Sequence, residues 1–274
     1  MKRILLVAAT QMEIAPTLAY LSEVWSTGHS FETEGGDLRT SAGQNADGPP
    51  LHSTGSSNES DHTPLENTRK NLTHFYHNET ELRVLITGVG LPATAFALGC
   101  ESKSPTYHLA IQAGIAGAID RSLVLGQLVR VSSDRFADLG AEDQNSRLID
   151  LQDLGFLPEG PTSPFHPNGT ISPIDGHNQA QLIDLPSVSG ISVNKVHGSS
   201  ASIDRLRTKY PDAQIESMEG AAFFYACRML GWPALQLRGI SNYVEPRNKE
   251  NWEIGRAVKR LNEGLISLLE AFSL

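Results

Sequence analysis

The chain opens with an unbroken apolar run, Ile4 to Ala9, followed by apolar residues at helical spacing, Ile14, Leu18, Leu21 and Trp25. A strand covered on both faces reads as a continuous apolar run, whereas an amphipathic helix repeats its apolar positions every three or four residues. The opening is therefore strand, tight turn, helix, with Pro16 early enough in the first turns to be tolerated. Between Phe31 and Phe75 there is no Val, Ile, Phe, Tyr or Trp, and Gly, Ser, Thr, Asn and Asp dominate. Such a stretch cannot bury enough apolar surface to offset its ordering entropy, so residues 32–69 are expected to form a flexible surface insertion.

Beyond it, Leu72 to His77, the turn Asn78-Glu79-Thr80, and Leu82 to Thr87 predict a hairpin. Strand patterns follow at Tyr107 to Ala113, Gln127 to Ser132, Ile191 to Asn194 and Pro233 to Ser241, with a helix over Ala201 to Lys209. A last helix carries Trp252, Leu261, Leu265, Leu268 and Phe272 along one face. Alternation of this kind predicts an α/β fold, one domain with a central sheet and helices on both sides. Asp138 to Pro186, rich in Pro, Gly and Asp, reads as long loops of the sort that carry substrate contacts.

Composition narrows the partners. The 274 residues are enough for one well-packed core, and 22 Lys plus Arg against 31 Asp plus Glu give a charge of -9. That is the wrong sign for a phosphate backbone, so nucleic acid is not expected as a partner. Cys100 and Cys227 show no CxxC or Cys/His spacing, which fits a reducing, cytoplasmic setting and predicts neither disulfide nor metal site. No apolar run reaches the length of a membrane span, and six apolar residues after Met1-Lys2-Arg3 are too few for a signal peptide.

Gly88-Val-Gly90-Leu-Pro-Ala93 fits the loose dinucleotide pattern, but the next strand ends Gln112-Ala113-Gly114 without the acid that would hold a ribose. What remains is a tight backbone cradle, and no cofactor is implied. Thr10-x-x-Glu13 is a capping box in its own right. Glu219 could merely complement the positive end of a helix beginning near Ser217, and His197 reads as an ordinary loop histidine.

Taken together, five segments change that picture: Leu6 to Ile14, Ile86 to Ala93, Ile111 to Ala118, Ile215 to Ala222 and Arg238 to Asn242. In this order they resemble the nucleoside phosphorylase and nucleosidase superfamily. Glu216-Ser-Met-Glu-Gly-Ala-Ala-Phe-Phe-Tyr225 and Arg238-Gly-Ile-Ser-Asn-Tyr-Val-Glu-Pro-Arg-Asn248 are similar in particular to the futalosine hydrolase family. The resemblance implies a mixed central sheet, a homodimer or larger assembly, and hydrolysis of futalosine to hypoxanthine and dehypoxanthine futalosine on a route to menaquinone. It implies that Glu13 activates water, that Met218 packs on the sugar and that Glu219 accepts the ribose 2'- and 3'-hydroxyls. Thr87 falls near the sugar, Val196 where backbone groups hold the base, and Asn242 at the purine N7 and 6-substituent.

The superfamily's adenine-releasing members usually carry aspartate at the position of Asn242. An amide instead offers two N–H donors, which suit the O6 and N7 acceptors of a 6-oxopurine. The strand-end turns carry no Arg or Lys for a phosphate, which favours water as acceptor. Competing readings are a nucleosidase for methylthioadenosine, adenosylhomocysteine or aminofutalosine, and a catalytically silent nucleoside-binding protein.

Overall fold

A computed structural model describes residues 1–27, 72–103, 106–174 and 185–273. The expected insertion at 32–69 lies outside the described residues. Strand β1 (Lys2–Ala8) is buried from Ile4 onward, as its apolar run requires. A 3-10 turn over Gln11–Ile14 leads into α1 (Ala15–Val24), whose Leu21 is buried. After the short β2 (Ser26–Thr27), β3 (Leu72–His77) and β4 (Thr80–Ile86) form the predicted hairpin, with Asn78 at φ 50 in its turn. Asparagine tolerates that left-handed conformation better than most residues.

Next come α2 (Leu91–Cys100), β5 (Leu109–Ala118) and β6 (Leu128–Ser133). A small hairpin follows, β7 (Gly140–Glu142) and β8 (Leu148–Asp150), and then β9 (Ser187–Ser192) and α3 (Ser200–Lys209). The chain ends with β10 (Ile215–Ser217), α4 (Gly220–Leu230), β11 (Ala234–Tyr243) and α5 (Ile254–Ser273).

The nine-stranded sheet runs β10-β9-β6-β11-β5-β1-β4-β3-β2 and is mixed, with β1, β4, β5 and β11 parallel to one another. The end of β5 also pairs antiparallel with β10, Ile215 opposite Ala118 and Glu216 opposite Gly117. Strands β5, β11, β6, β9 and β10 thereby close on themselves, while β1 to β4 extend the sheet as an open wing. Apolar clusters cover both faces: Leu98, Phe223, Phe224 and Cys227 from α2 and α4 on one, Leu21, Leu261, Leu265 and Leu268 from α1 and α5 on the other. The predicted helices on both sides are present.

Three elements differ from expectation. β5 runs on to Ala118, because the glycine-rich continuation is held between β11 and β10. β9 begins at Ser187 and ends at Ser192, leaving Val193 and Asn194 beyond it. Trp252 precedes α5 and lies against the Arg247 guanidinium, 5.1 Å from its ring centre, instead of joining the helix seam.

One buried polar residue ties the first helix to the last. Asn262 Oδ1 accepts from the Thr17 amide at 3.0 Å and hydroxyl at 2.6 Å, while its Nδ2 donates to the Glu13 carbonyl at 2.8 Å and the Val258 carbonyl at 2.7 Å. Truncation strands buried groups that each cost about 1–3 kcal/mol, so Asn262→Ala is expected to lose about 3 kcal/mol in urea unfolding. A loss below about 1 kcal/mol would mean that water replaces the amide.

Candidate functional site

Parallel strands leave a crevice at their carboxyl ends, where ligands of open α/β sheets gather. Glu13 follows β1, Thr87 follows β4, Gly114 and Arg238 lie at the middle of β5 and β11, and Gly117 and Asn242 lie near the ends of those strands. Glu219 immediately precedes α4.

Glu13 is held at three points. Its Oε2 accepts from the Thr10 amide at 3.0 Å and hydroxyl at 3.1 Å, and Oε1 from the Ile115 amide at 3.2 Å. The capping contact expected from Thr10 and the placement of a carboxylate over β5 are therefore one arrangement. Glu219 Oε1 accepts from the Gly90 amide at 3.1 Å, and Oε2 faces Arg238 Nη1 at 3.5 Å. Gly90, at φ 100, occupies a conformation that favours glycine, which accounts for the cradle after β4.

Arg238 is the cation between the carboxylates and is only 1% exposed. Its Nη2 donates to Gln112 Oε1 at 3.0 Å, Nε to Gln236 Oε1 at 3.1 Å, and Nη1 also to the Ile115 carbonyl at 3.4 Å. A guanidinium cannot shed its charge, so burial requires such partners. Gly114 makes the room: a Cβ there would lie 2.4 Å from Arg238 Nη1 and 3.1 Å from Glu13 Oε1.

Behind Gln236 lies Asp134, whose carboxyl accepts from the Ser192 hydroxyl at 3.0 Å and the Arg135 amide at 2.8 Å. Burial pushes the Asp134 carboxyl up to about 6, against the pull of Arg238. Burial also raises Glu13 above the usual 4.5; Arg238 opposes this shift and Glu219 adds to it.

Asn242 lies three β5 residues further along, opposite Gly117, or about 10 Å from Gly114. The register between β11 and β5 slips at Ser241, a bulge that re-aims the Asn242 side chain. Asn242 Oδ1 accepts from the Ser241 hydroxyl at 2.8 Å, and Nδ2 donates to the Tyr243 carbonyl at 3.0 Å. One N–H of the amide is thus taken by the backbone. The sequence expectation of two free donors is corrected to one.

Asn242 lines a small cleft together with Gly117, Val196, His197, Glu216 and Trp252. His197 is not an ordinary loop histidine: its amide donates to Glu216 Oε1 at 3.1 Å and its Nδ1 contacts Glu216 Oε2. Val196 lies at the rim of this cleft, and Met218 is half-buried between Ser217 and Glu219. Thr87 Oγ1 donates to the Gly88 carbonyl at 2.8 Å, beside the cradle.

The expected residues fall into two groups, Glu13, Thr87, Met218 and Glu219 at one end, Val196 and Asn242 at the other. Sequence reasoning missed Arg238, Gln112, Gln236 and the His197–Glu216 pair as parts of the site. Its available signal was a polar residue at alternate positions inside otherwise apolar strands, as in Leu235-Gln236-Leu237-Arg238. Among the described residues no group of His, Cys, Asp and Glu could hold a metal ion, and no helix is long and apolar enough to cross a membrane.

A futalosine hydrolase of Streptomyces coelicolor is 31% identical over 159 residues, covering 58% of this chain and 64% of that protein, just under two thirds of its length. One of Acidothermus cellulolyticus is 32% identical over 193 residues, 68% of this chain and 74% of its own. The crystal structure of the Streptococcus pneumoniae MTA/SAH nucleosidase in complex with 8-aminoadenine superposes with a TM-score of 0.67 at 17% identity, covering 99% of this chain and 100% of that one, which shows the shared fold. The family profile described as the phosphorylase superfamily matches residues 47–273. With most of its length inside that match and its sheet folded in the same way, the chain belongs to the phosphorylase superfamily.

Proposed function

We propose that the chain is a purine nucleosidase that hydrolyses the N-glycosidic bond of futalosine, releasing hypoxanthine, on the menaquinone route that its resemblance implies. The observation that carries this reading is a pair of carboxylates, Glu13 and Glu219, around the buried Arg238, with an amide-lined cleft about 10 Å further along β5.

Cleaving a C1'–N9 bond builds positive charge on the sugar and negative charge on the departing base. Glu13 takes the proton of the attacking water, and Glu219 accepts the ribose hydroxyls and sets a negative charge near the sugar. Met218 and Thr87 border the ribose. The free N–H of Asn242 meets the base, where one well-placed donor is worth about 3 kcal/mol of barrier.

Arg238 supports water over phosphate as the acceptor. Its donors already face Gln112, Gln236, Ile115 and Glu219, so it offers no open cationic seat, and both carboxylates repel an anion. Incubation with futalosine and its 6-amino analogue, with chromatography of the released base, tests the reading. Hypoxanthine is expected from futalosine without added phosphate. Phosphate-dependent release would overturn hydrolysis, and no release from either would leave a nucleoside-binding protein.

A further inference from the structure

Glu216, Gly117 and Asn242 stand side by side across three strands, Glu216 paired with Gly117 and Gly117 with Asn242. Two strand spacings, about 9.5 Å, therefore separate the outer pair at the backbone, and the missing side chain of Gly117 makes room for the Asn242 amide and Val244, whose Nδ2 and Cγ2 would lie 3.2 Å and 3.0 Å from a Cβ there.

Glu216 is buried, at 4% exposure, and an ionised carboxylate only accepts. Both groups facing it must donate: the His197 amide and the His197 Nδ1–H. That contact assigns the tautomer. In the neutral imidazole Nε2 then carries a lone pair, and it has no hydrogen-bond partner among the described residues although the ring lines the cleft.

We propose that His197, oriented by Glu216, is a specificity-determining residue that accepts the N1–H of a 6-oxopurine base. The proposal rests on the nucleosidase reading and deepens it. A 6-oxopurine presents an acceptor at O6 beside a donor at N1. The cleft presents the complement, the free Asn242 N–H and the His197 Nε2 lone pair. A 6-aminopurine reverses both groups and meets donor against donor and acceptor against acceptor. Discrimination by unpaired buried polar groups is the strong kind, reaching far beyond what a missing methylene can supply.

The test compares wild type, His197→Leu, His197→Gln and Glu216→Gln on inosine and adenosine, which share a sugar, and measures binding of hypoxanthine and adenine by calorimetry. Wild type is expected to favour the 6-oxo member in both assays. His197→Leu should cut that preference at least about tenfold. His197→Gln should restore much of it, because its carbonyl also accepts. Glu216→Gln should reduce it, because an amide N–H donating to Nδ1 moves the imidazole proton to Nε2. A merely structural role would lower both substrates together, so a ratio that stays constant across His197→Leu overturns the proposal, as does a wild-type preference for the 6-amino member. If neither nucleoside is cleaved, the hypoxanthine-to-adenine binding ratio still decides the role of His197, while the hydrolase reading stands or falls on release of base from futalosine.

Discussion

Glu13→Gln is expected to lower kcat for nucleoside hydrolysis by at least about 100-fold while KM changes little. A positioned general base contributes about 10²- to 10⁴-fold, and an amide cannot take the proton of the attacking water. The proposed substrate contacts at Glu219 and Asn242 are untouched by the change, which is why binding should persist. Stopped assays over a range of futalosine concentrations, with circular dichroism to confirm folding, separate the two parameters. Near-normal turnover would remove Glu13 as the base and leave it the capping role.

The pH profile adds a second readout. As the proposed base, Glu13 would act only when ionised, and burial raises its folded value above the ordinary 4.5, so the acidic limb of kcat/KM should lie above that pH. Arg238 holds the value down, and Arg238→Gln should therefore move the limb to higher pH. The stability effect has the opposite sense to that of a salt-bridged carboxylate. A folded value above the unfolded one means that ionising Glu13 opposes folding, and this contribution to stability declines as pH rises towards and through the folded value.

Asn242→Asp is the second large effect. The carboxylate would place an oxygen where Nδ2 now meets the Tyr243 carbonyl at 3.0 Å, and would also face O6 of a 6-oxopurine. Both contacts repel unless the acid is protonated, whereas the amino group of a 6-aminopurine can donate to it. The ratio of kcat/KM for futalosine over its 6-amino analogue should fall at least about tenfold, the equivalent of one unpaired buried contact. An unchanged ratio would place Asn242 away from the base and withdraw its part in base selection.

Much of the frame is legible in the residue pattern because local signals agree there. The apolar run of β1, the polar turn between β3 and β4 and the alternating residues of β11 each mark their element without help from distant contacts. β10 is not legible: Ile215–Ser217 is too short to carry a period, and it becomes a strand because Gly117 and Ala118 of β5 pair with it. Trp252 misleads for a similar reason, since its spacing fits the helix seam but Arg247 holds it outside.

The site divides in the same way. Glu13 and Glu219 stand out as carboxylates in short motifs, whereas the importance of Arg238 lies in partners scattered over β5, β11 and the start of α4. The pair His197 and Glu216 belongs to different elements, the loop after β9 and strand β10, which the β9–β10 pairing brings together. Asn242 was recognisable by type, but the loss of one of its donors to the Tyr243 carbonyl depends on a bulge that no spacing announces.

The burial of Arg238 has a consequence for synthesis. A ribosome releases Glu13 near the start of translation, Glu219 late, and Arg238 later still. Until β11 emerges and threads beside β5, both carboxylates lack the counter-charge that lets them share a dry crevice. Chains stalled before that strand can collapse around β1 to β4 without acquiring the paired acids as a unit. Enzyme activity therefore reports completed translation and sheet closure together, and a fragment ending before β11 should be inactive however well its first strands are ordered.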